Sequence, residues 1–327
     1  MKGSHNIVVE SNKIRYNLTV TRNITIIRGD SATGKTKLIN LIRMSRDPTL
    51  EIKVRCDKKC VVLDEGTSDG DWEYMLSRLK DSIVFIDEGR NYVHTEQFAR
   101  AIKNSDNYYV IVSREPIKQL PYSINEIYGL RESSKYGTMH KVYAEMYKIY
   151  LGEFRGNKII PDVIITEDSN SGYDCFKSVG ERIGVDCVSA HGKSNVYKQI
   201  KMLESEGYKK ILAVFDGAAF GPDFEEIYKV RDEHRGMVIY APESFEWILL
   251  KSGIIKGVPR DVMDNPSDYI ESSKYFSWEQ YFTALLCEIT NNTAYAYSKR
   301  KLNKAFLSAI NLKKIVNSIG FLVEIKN

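Results

Sequence analysis

One stretch constrains this chain more than any other: Ile24-Thr-Ile-Ile-Arg-Gly-Asp-Ser-Ala-Thr-Gly-Lys-Thr36. An apolar β-type run breaks at Gly29, and after Gly34-Lys35-Thr36 the apolar residues Leu38, Ile39, Leu41 and Ile42 return at helical spacing. Strand, glycine loop and helix in that order are what a G-x-x-x-x-G-K-[ST] match requires, because the loop must turn its backbone N–H groups towards phosphate at a helix N-terminus. The pattern predicts a cradle made by Gly29, Asp30, Ser31, Ala32, Thr33 and Gly34. Lys35 would reach the β/γ-phosphates of ATP and the Thr36 hydroxyl would ligate Mg²⁺.

The rest of the first half is read outward from that loop. Residues 6–28 read as short strands, a β layer ahead of the loop, and the helix from Lys35 to about Arg46 stops near Asp47-Pro48. Two later runs end in an acidic pair, Val61-Val-Leu-Asp-Glu65 and Ile83-Val-Phe-Ile-Asp-Glu88. The first follows Ile52–Cys56 across the turn residues Asp57-Lys58-Lys59, so it reads as the second arm of a hairpin, with Asp64 and Glu65 as a solvated strand end. The second leads through a helical stretch, Thr95 to Ile102, into the buried strand Tyr108–Val112, which is the strand–helix–strand unit of a parallel sheet. The Walker B role therefore goes to Asp87 for Mg²⁺ and Glu88 for polarising the attacking water. Ser113, at the end of the next strand, is a candidate sensor of the γ-phosphate beside Arg114, and His94 is a further residue near the Asp87 loop.

The N-terminal β layer beside the loop strand resembles the ABC and RecF-like ATPases. No Leu-Ser-Gly-Gly-type signature is present, so the resemblance is to a minimal version, and the head-to-tail dimer of that family is not implied.

After a polar, tyrosine-rich connection from Arg131 to Tyr150, strands and helices alternate regularly: a strand to Glu167-Asp168, helix 173–183, strand 186–189, helix 195–206, strand 211–215 to Asp216, helix 223–230 and strand 237–240. Three βαβ steps build a parallel sheet and bring Glu167 and Asp216 to the carboxyl ends of two strands, where open α/β sheets carry their sites. Glu167, His191-Gly-Lys-Ser-Asn-Val196, Asp216-Gly217 and Pro242-Glu-Ser-Phe-Glu246 together resemble the TOPRIM domain of OLD-family nucleases and related phage-defence proteins. That resemblance implies a metal-dependent nucleic-acid-cleaving site in which Glu167, Asp216 and Glu246 hold Mg²⁺ or Mn²⁺, with DNA or RNA as partner. The chain departs from the pattern where Ala218 stands in place of the second aspartate of Asp-x-Asp; Asp168, Asp223 or Glu246 are the acids able to make up the charge. Lys193 lacks the first glycine of a second phosphate loop.

The tail reads as helices, with Tyr281, Leu285, Leu286 and Ile289 and then Leu302 to Ile310 at helical spacing. Lys299, Arg300, Lys301 and Lys304 head the second of them. The OLD-like resemblance implies a functional lysine in a late helix, for which Lys301 and Lys304 are the candidates.

The expected fold class is thus α/β: a P-loop NTPase parallel sheet with an N-terminal β layer (1–135), a connection (136–156), a TOPRIM-like parallel α/β domain (157–271) and a C-terminal helical segment (272–327). A net charge of +4 from 47 basic and 43 acidic residues excludes a global nucleic-acid signature, so any basic patch is local. Five scattered cysteines oppose a disulfide framework, and Cys56 and Cys60 flank a turn without a second ligand pair for zinc. With no apolar run of membrane-spanning length, the expected location is cytoplasmic, without membrane contact. The functional expectation is an ATP-binding protein whose P-loop domain regulates the second domain, possible partners being a homo-oligomer or another protein. The rival is an ATP-dependent switch whose second domain is a catalytically weak binding module.

Overall fold

The computed structural model describes residues 3–29, 34–63, 71–133, 141–150, 160–233, 236–270 and 274–319. The chain divides into two compact units: Met1–Tyr150 with Asn265–Phe276, and Leu151–Asp264 with Ser277–Asn327. The short return segment 265–276, which the sequence pattern attaches to the second half, is therefore part of the first unit.

In the first unit the strands are β1 (His5–Glu10), β2 (Ile14–Val20), β3 (Ile24–Ile27), β4 (Lys53–Arg55), β5 (Lys59–Val62), β6 (Ser82–Ile86), β7 (Tyr108–Val112), β8 (Ile127–Glu132) and β9 (Val142–Lys148). The helices are α1 (Lys35–Met44), α2 (Asp71–Ser77) and α3 (Glu96–Lys103). All nine strands form one mixed sheet in the order β4-β1-β2-β9-β8-β3-β7-β6-β5. From β8 to β5 the pairing is parallel. Every residue of β3, β6 and β7 is buried, as expected of strands covered on both faces, whereas β2 alternates buried with exposed positions.

Two expectations are corrected here. β4 and β5 are consecutive in the chain but do not form a hairpin. β4 pairs antiparallel with β1 and β5 pairs parallel with β6, so they lie at opposite ends of a sheet that curls until it nearly closes. The burial explains the choice: Val61 and Val62 are apolar and buried and suit the parallel interior, while Lys53 and Arg55 keep the outer positions of β4 exposed. The connection read between Arg131 and Tyr150 also contains structure, since β9 pairs antiparallel with β8 and parallel with β2 and so joins the N-terminal layer to the parallel half.

The second unit carries β10 (Val163–Thr166), β11 (Asp186–Ser189), β12 (Ile211–Val214) and β13 (Val238–Tyr240). Its helices are α4 (Ser171–Ile183), α5 (Val196–Ser205), α6 (Gly221–Glu233), α7 (Phe245–Lys251), α8 (Arg260–Asp264), α9 (Trp278–Thr290) and α10 (Ala309–Ile319). Its sheet is wholly parallel in the order β11-β10-β12-β13, as the alternating pattern predicts. The two central strands are fully buried and the two outer ones partly exposed. The basic segment after Tyr297 is not the start of a long helix: residues 298–303 are turn and coil, Lys304–Leu307 is a single 3-10 turn, and α10 begins only at Ala309. No helix among the described residues is long and apolar enough to cross a membrane.

Candidate functional sites

In the first unit the strand register decides what meets at the carboxyl edge. Ile27 of β3 lies opposite Val112 of β7, and Ile111 lies opposite Ile86 of β6. Gly29, Ser113 and Asp87, each just past one of these strand ends, therefore emerge along one edge, with β7 between the glycine-loop strand and the acid strand. At the start of α1, Gly34 has φ +84°, and a Cβ there would come within 2.8 Å of the Tyr16 hydroxyl. Both facts demand glycine. Tyr16 donates to the Gly34 carbonyl at 2.8 Å, and burial, with Glu132 nearby, pushes its phenol up to about 12, so it remains a donor. Lys35 is 5 % exposed and donates from Nζ to the Gly29 carbonyl at 2.6 Å. Asp30, Ser31, Ala32 and Thr33, predicted to complete the cradle, lie outside the described residues, as do Asp64 and Glu65.

Asp87 and Glu88 are half-buried and line a cleft of about 250 Å³ with Arg90, His94, Ser113 and Arg114. Asp87 Oδ1 accepts from the Glu88 N–H at 2.9 Å, and the Glu88 carboxylate is ion-paired with Arg114. The Ser113 hydroxyl donates to the Glu115 carbonyl at 2.7 Å. A hydroxyl and a carboxylate are the donor types that Mg²⁺ arriving on nucleotide phosphates takes from a protein, which Thr36, exposed at the start of α1, and Asp87 would supply; no described residue of the glycine loop or of α1 lines the Asp87 cleft.

In the second unit Thr166 lies opposite both Ser189 and Val214, and Val214 opposite Tyr240, so the loops after β10, β12 and β13 converge. Gly217 packs where a Cβ would come within 2.6 Å of the Ala241 carbonyl oxygen, and its N–H donates to Pro242 at 2.6 Å. This close approach brings the Asp216 loop against the start of α7. There Ser244 caps the helix, accepting from Trp247 N–H at 3.2 Å, and Asp216 Oδ1 accepts from Phe245 N–H at 2.8 Å. A small pocket results, lined by Glu167, Asp168, Asp216, Glu246, Tyr297 and Lys299 among others.

Three of the predicted site residues, Glu167, Asp216 and Glu246, thus line one pocket. Of the acids considered as replacements for the missing aspartate, Asp168 is occupied in its own loop, accepting from Asn170 N–H at 3.1 Å, and Asp223 is paired with Lys193 at 3.3 Å. Glu246 remains, 1 % exposed, with Oε1 accepting from the Tyr297 hydroxyl at 2.8 Å. Two charged groups were not picked out for this site in the sequence: Lys299, which lines the pocket, and Glu279, which does not. Glu279, in the first turn of α9, acts electrostatically on both Glu167 and Asp216, and Lys299 is ion-paired with Glu279. Lys299, not Lys301 or Lys304, is the lysine on the pocket.

The electrostatics follow from this crowding. Burial, then Glu279 and Asp168, raises the Glu167 carboxyl from 4.5 to about 7 against the opposing Asp216 N–H bond. Burial, then Glu279, Glu246 and Glu167, raises Asp216 well above the usual aspartate range. Burial pulls the Lys299 ammonium down, but Glu279 and the charges of Asp216 and Glu246 outweigh it, and the net direction is up. Burial, then Glu246, raises Tyr297.

Hard oxygen donors of this kind suit a divalent cation, but their arrangement does not: among the described residues no three His, Cys, Asp or Glu side chains converge as a metal-binding group. As arranged, the residues do not fit a resident metal.

No protein-family model matches the chain, and no curated protein matches it in sequence.

Proposed function

We propose that this chain is an ATP-binding protein in which a minimal P-loop ATPase unit controls a TOPRIM-like unit acting on nucleic acid, the combination that OLD-like phage-defence proteins would use. The observation that carries the nucleotide half is Lys35: a lysine almost wholly buried at the mouth of a glycine loop, its ammonium on the Gly29 carbonyl, has a cationic function that a surface lysine lacks. In this reading Lys35 takes the β/γ-phosphates, Thr36 and Asp87 hold the Mg²⁺ that comes with ATP, Glu88 orients the attacking water, and Ser113 faces the γ-phosphate. The magnesium ion supplies charge neutralisation on the phosphates. Arg114, paired with Glu88, keeps that carboxylate in the cleft. The test is nucleotide titration of Lys35→Ala, which removes charge-assisted hydrogen bonds worth about 1.5 to 3 kcal/mol and should weaken ATP binding by about tenfold or more. Equal dissociation constants for the two proteins would sink the P-loop reading.

For the second unit the support is the meeting of Glu167, Asp216 and Glu246 at the carboxyl edge of a parallel sheet. The activity to assay is Mg²⁺- or Mn²⁺-dependent cleavage of DNA and RNA. A second reading, an ATP-dependent switch whose second unit is a catalytically weak binding module, is favoured by the buried Ala218 in place of a carboxylate and by the lysine, Lys299, that lines the acid pocket.

A further inference from the structure

The N-terminal β layer of the first unit reaches the glycine loop through a tyrosine. Along β2 the residues Ile14, Tyr16, Leu18 and Val20 are buried, and they share a core with Leu38, Ile39, Leu41 and Ile42 of α1. Tyr16 lies opposite Val9 of β1 and Ala144 of β9 and is wholly buried. Its polar end meets the start of α1, where the hydroxyl donates to the Gly34 carbonyl at 2.8 Å. The same carbonyl accepts from the Leu38 N–H at 2.9 Å, the first hydrogen bond of the helix. Two donors on one oxygen hold the peptide between Gly34 and Lys35. A peptide unit is planar and trans, so its N–H points away from its C=O. With the carbonyl turned along the helix and onto Tyr16, the Lys35 N–H is directed out of the helix N-terminus, the side from which an anion is met. The hold matters at this position because Gly34, at φ +84°, has no side chain to restrict its backbone. A turned peptide would present an oxygen to phosphate in place of a hydrogen.

We infer that Tyr16 is a positioning residue for phosphate: by holding the Gly34 carbonyl, its hydroxyl keeps the Lys35 N–H set for the phosphate chain of a nucleotide. The inference rests on the P-loop reading of the unit and gives the N-terminal layer a part in ligand binding. Tyr16 acts through the backbone alone, since a wholly buried ring is not available to a nucleotide base.

The experiment measures binding of ATP and of inorganic tripolyphosphate, a phosphate chain without a base, to the full-length protein by calorimetry, each with Mg²⁺. Wild type is compared with Tyr16→Phe and Tyr16→Met, which lack the hydroxyl, and with Tyr109→Phe as a control. Tyr109 is equally buried and shares a hydrogen bond of 2.6 Å with the Ser105 hydroxyl, but it lies opposite Ile24, at the end of β3 away from the loop. Urea unfolding gives the stability of each protein. Tyr16→Phe should weaken ATP and tripolyphosphate by the same factor, about threefold to tenfold, the worth of one neutral hydrogen bond. Should Tyr16→Phe fail to fold, Tyr16→Met carries the same expectation. Tyr109→Phe should leave both dissociation constants unchanged whatever it costs in stability. Unchanged affinity in a folded Tyr16 variant, a loss for ATP without one for tripolyphosphate, or an equal loss in Tyr109→Phe each overturns the inference while leaving the P-loop reading standing. Absence of ATP binding in wild type overturns both.

Discussion

Both units end parallel strands in a cluster of loop residues, yet the charges are arranged differently. At the edge of β3, β7 and β6 a lysine is buried beneath a backbone carbonyl, and the acids Asp87 and Glu88 are half-buried on a cleft of about 250 Å³. At the edge of β10, β12 and β13 Glu167 and Asp216 are half-buried too, but Glu246 is almost completely buried, and the cation is a half-exposed lysine brought in by a loop outside the sheet. The first arrangement buries a positive charge; the second gathers negative charges beside a lysine. Parallel strands supply the same platform in each, and the loop residues determine its sign.

The comparison breaks most sharply at Glu88. If the cleft of the first unit is the hydrolytic one, Glu88→Gln should retain ATP binding and lose turnover by about a hundredfold or more, the usual worth of a positioned base. A single-turnover assay at saturating ATP measures this directly. Unchanged turnover would remove the chemical distinction between the two edges.

For the second unit the sharper test is pH. Glu167 has a folded-state value of about 7 against an ordinary 4.5, so between these the folded chain binds more protons than the unfolded one. Its contribution to stability is therefore complete below pH 4.5 and is lost as pH rises through 7, by about 3 kcal/mol at most. Asp216, also raised, acts with the same sign. Denaturant unfolding from pH 5 to 8 should show Glu167→Gln flattening the decline and exceeding wild type in stability at pH 8. A wild-type curve without that decline would mean that the acids are not crowded as described.

A smaller effect is expected at Tyr297. Its hydroxyl is the donor to Glu246 Oε1, and Oε2 has none among the described residues, so Tyr297→Phe leaves a buried carboxylate without a hydrogen bond. The cost should be about 1 to 3 kcal/mol in the midpoint of urea unfolding. ATP binding by the first unit should not change. Smallest of all is Glu65→Gln, expected to leave turnover within experimental error because the hydrolytic role is assigned to Glu88. If Glu65→Gln abolished turnover and Glu88→Gln did not, the acid would belong to the neighbouring parallel strand.

Much of this arrangement can be read without coordinates, and the reason is local. The loop at Gly29 and Gly34 announces itself through two glycines and a lysine at set spacing between a β-type run and a helical one. The second sheet is legible because strands and helices alternate with short connections, which leaves right-handed parallel crossovers as the economical topology. Glu167 and Asp216 followed as strand-end acids. Sequence alone did not determine which strands would be neighbours. Asp57-Lys58-Lys59 is a sound local turn signal, but the choice between a hairpin and two separate pairings depended on where Val61 and Val62 could be buried, and that depends on β6. Strand β9 went unread because its partners, β2 and β8, exist as a surface only after the sheet has formed. Glu279 and Lys299 lie far along the chain from the acids they meet, in a segment whose periodicity suggests only helices. No local pattern encodes that meeting; packing of α9 and of the loop fastened to Ser171 creates it. Local spacing determined what each loop carries, and tertiary packing decided which charges would have to share one buried pocket, because electrostatic crowding is a property of distance in space.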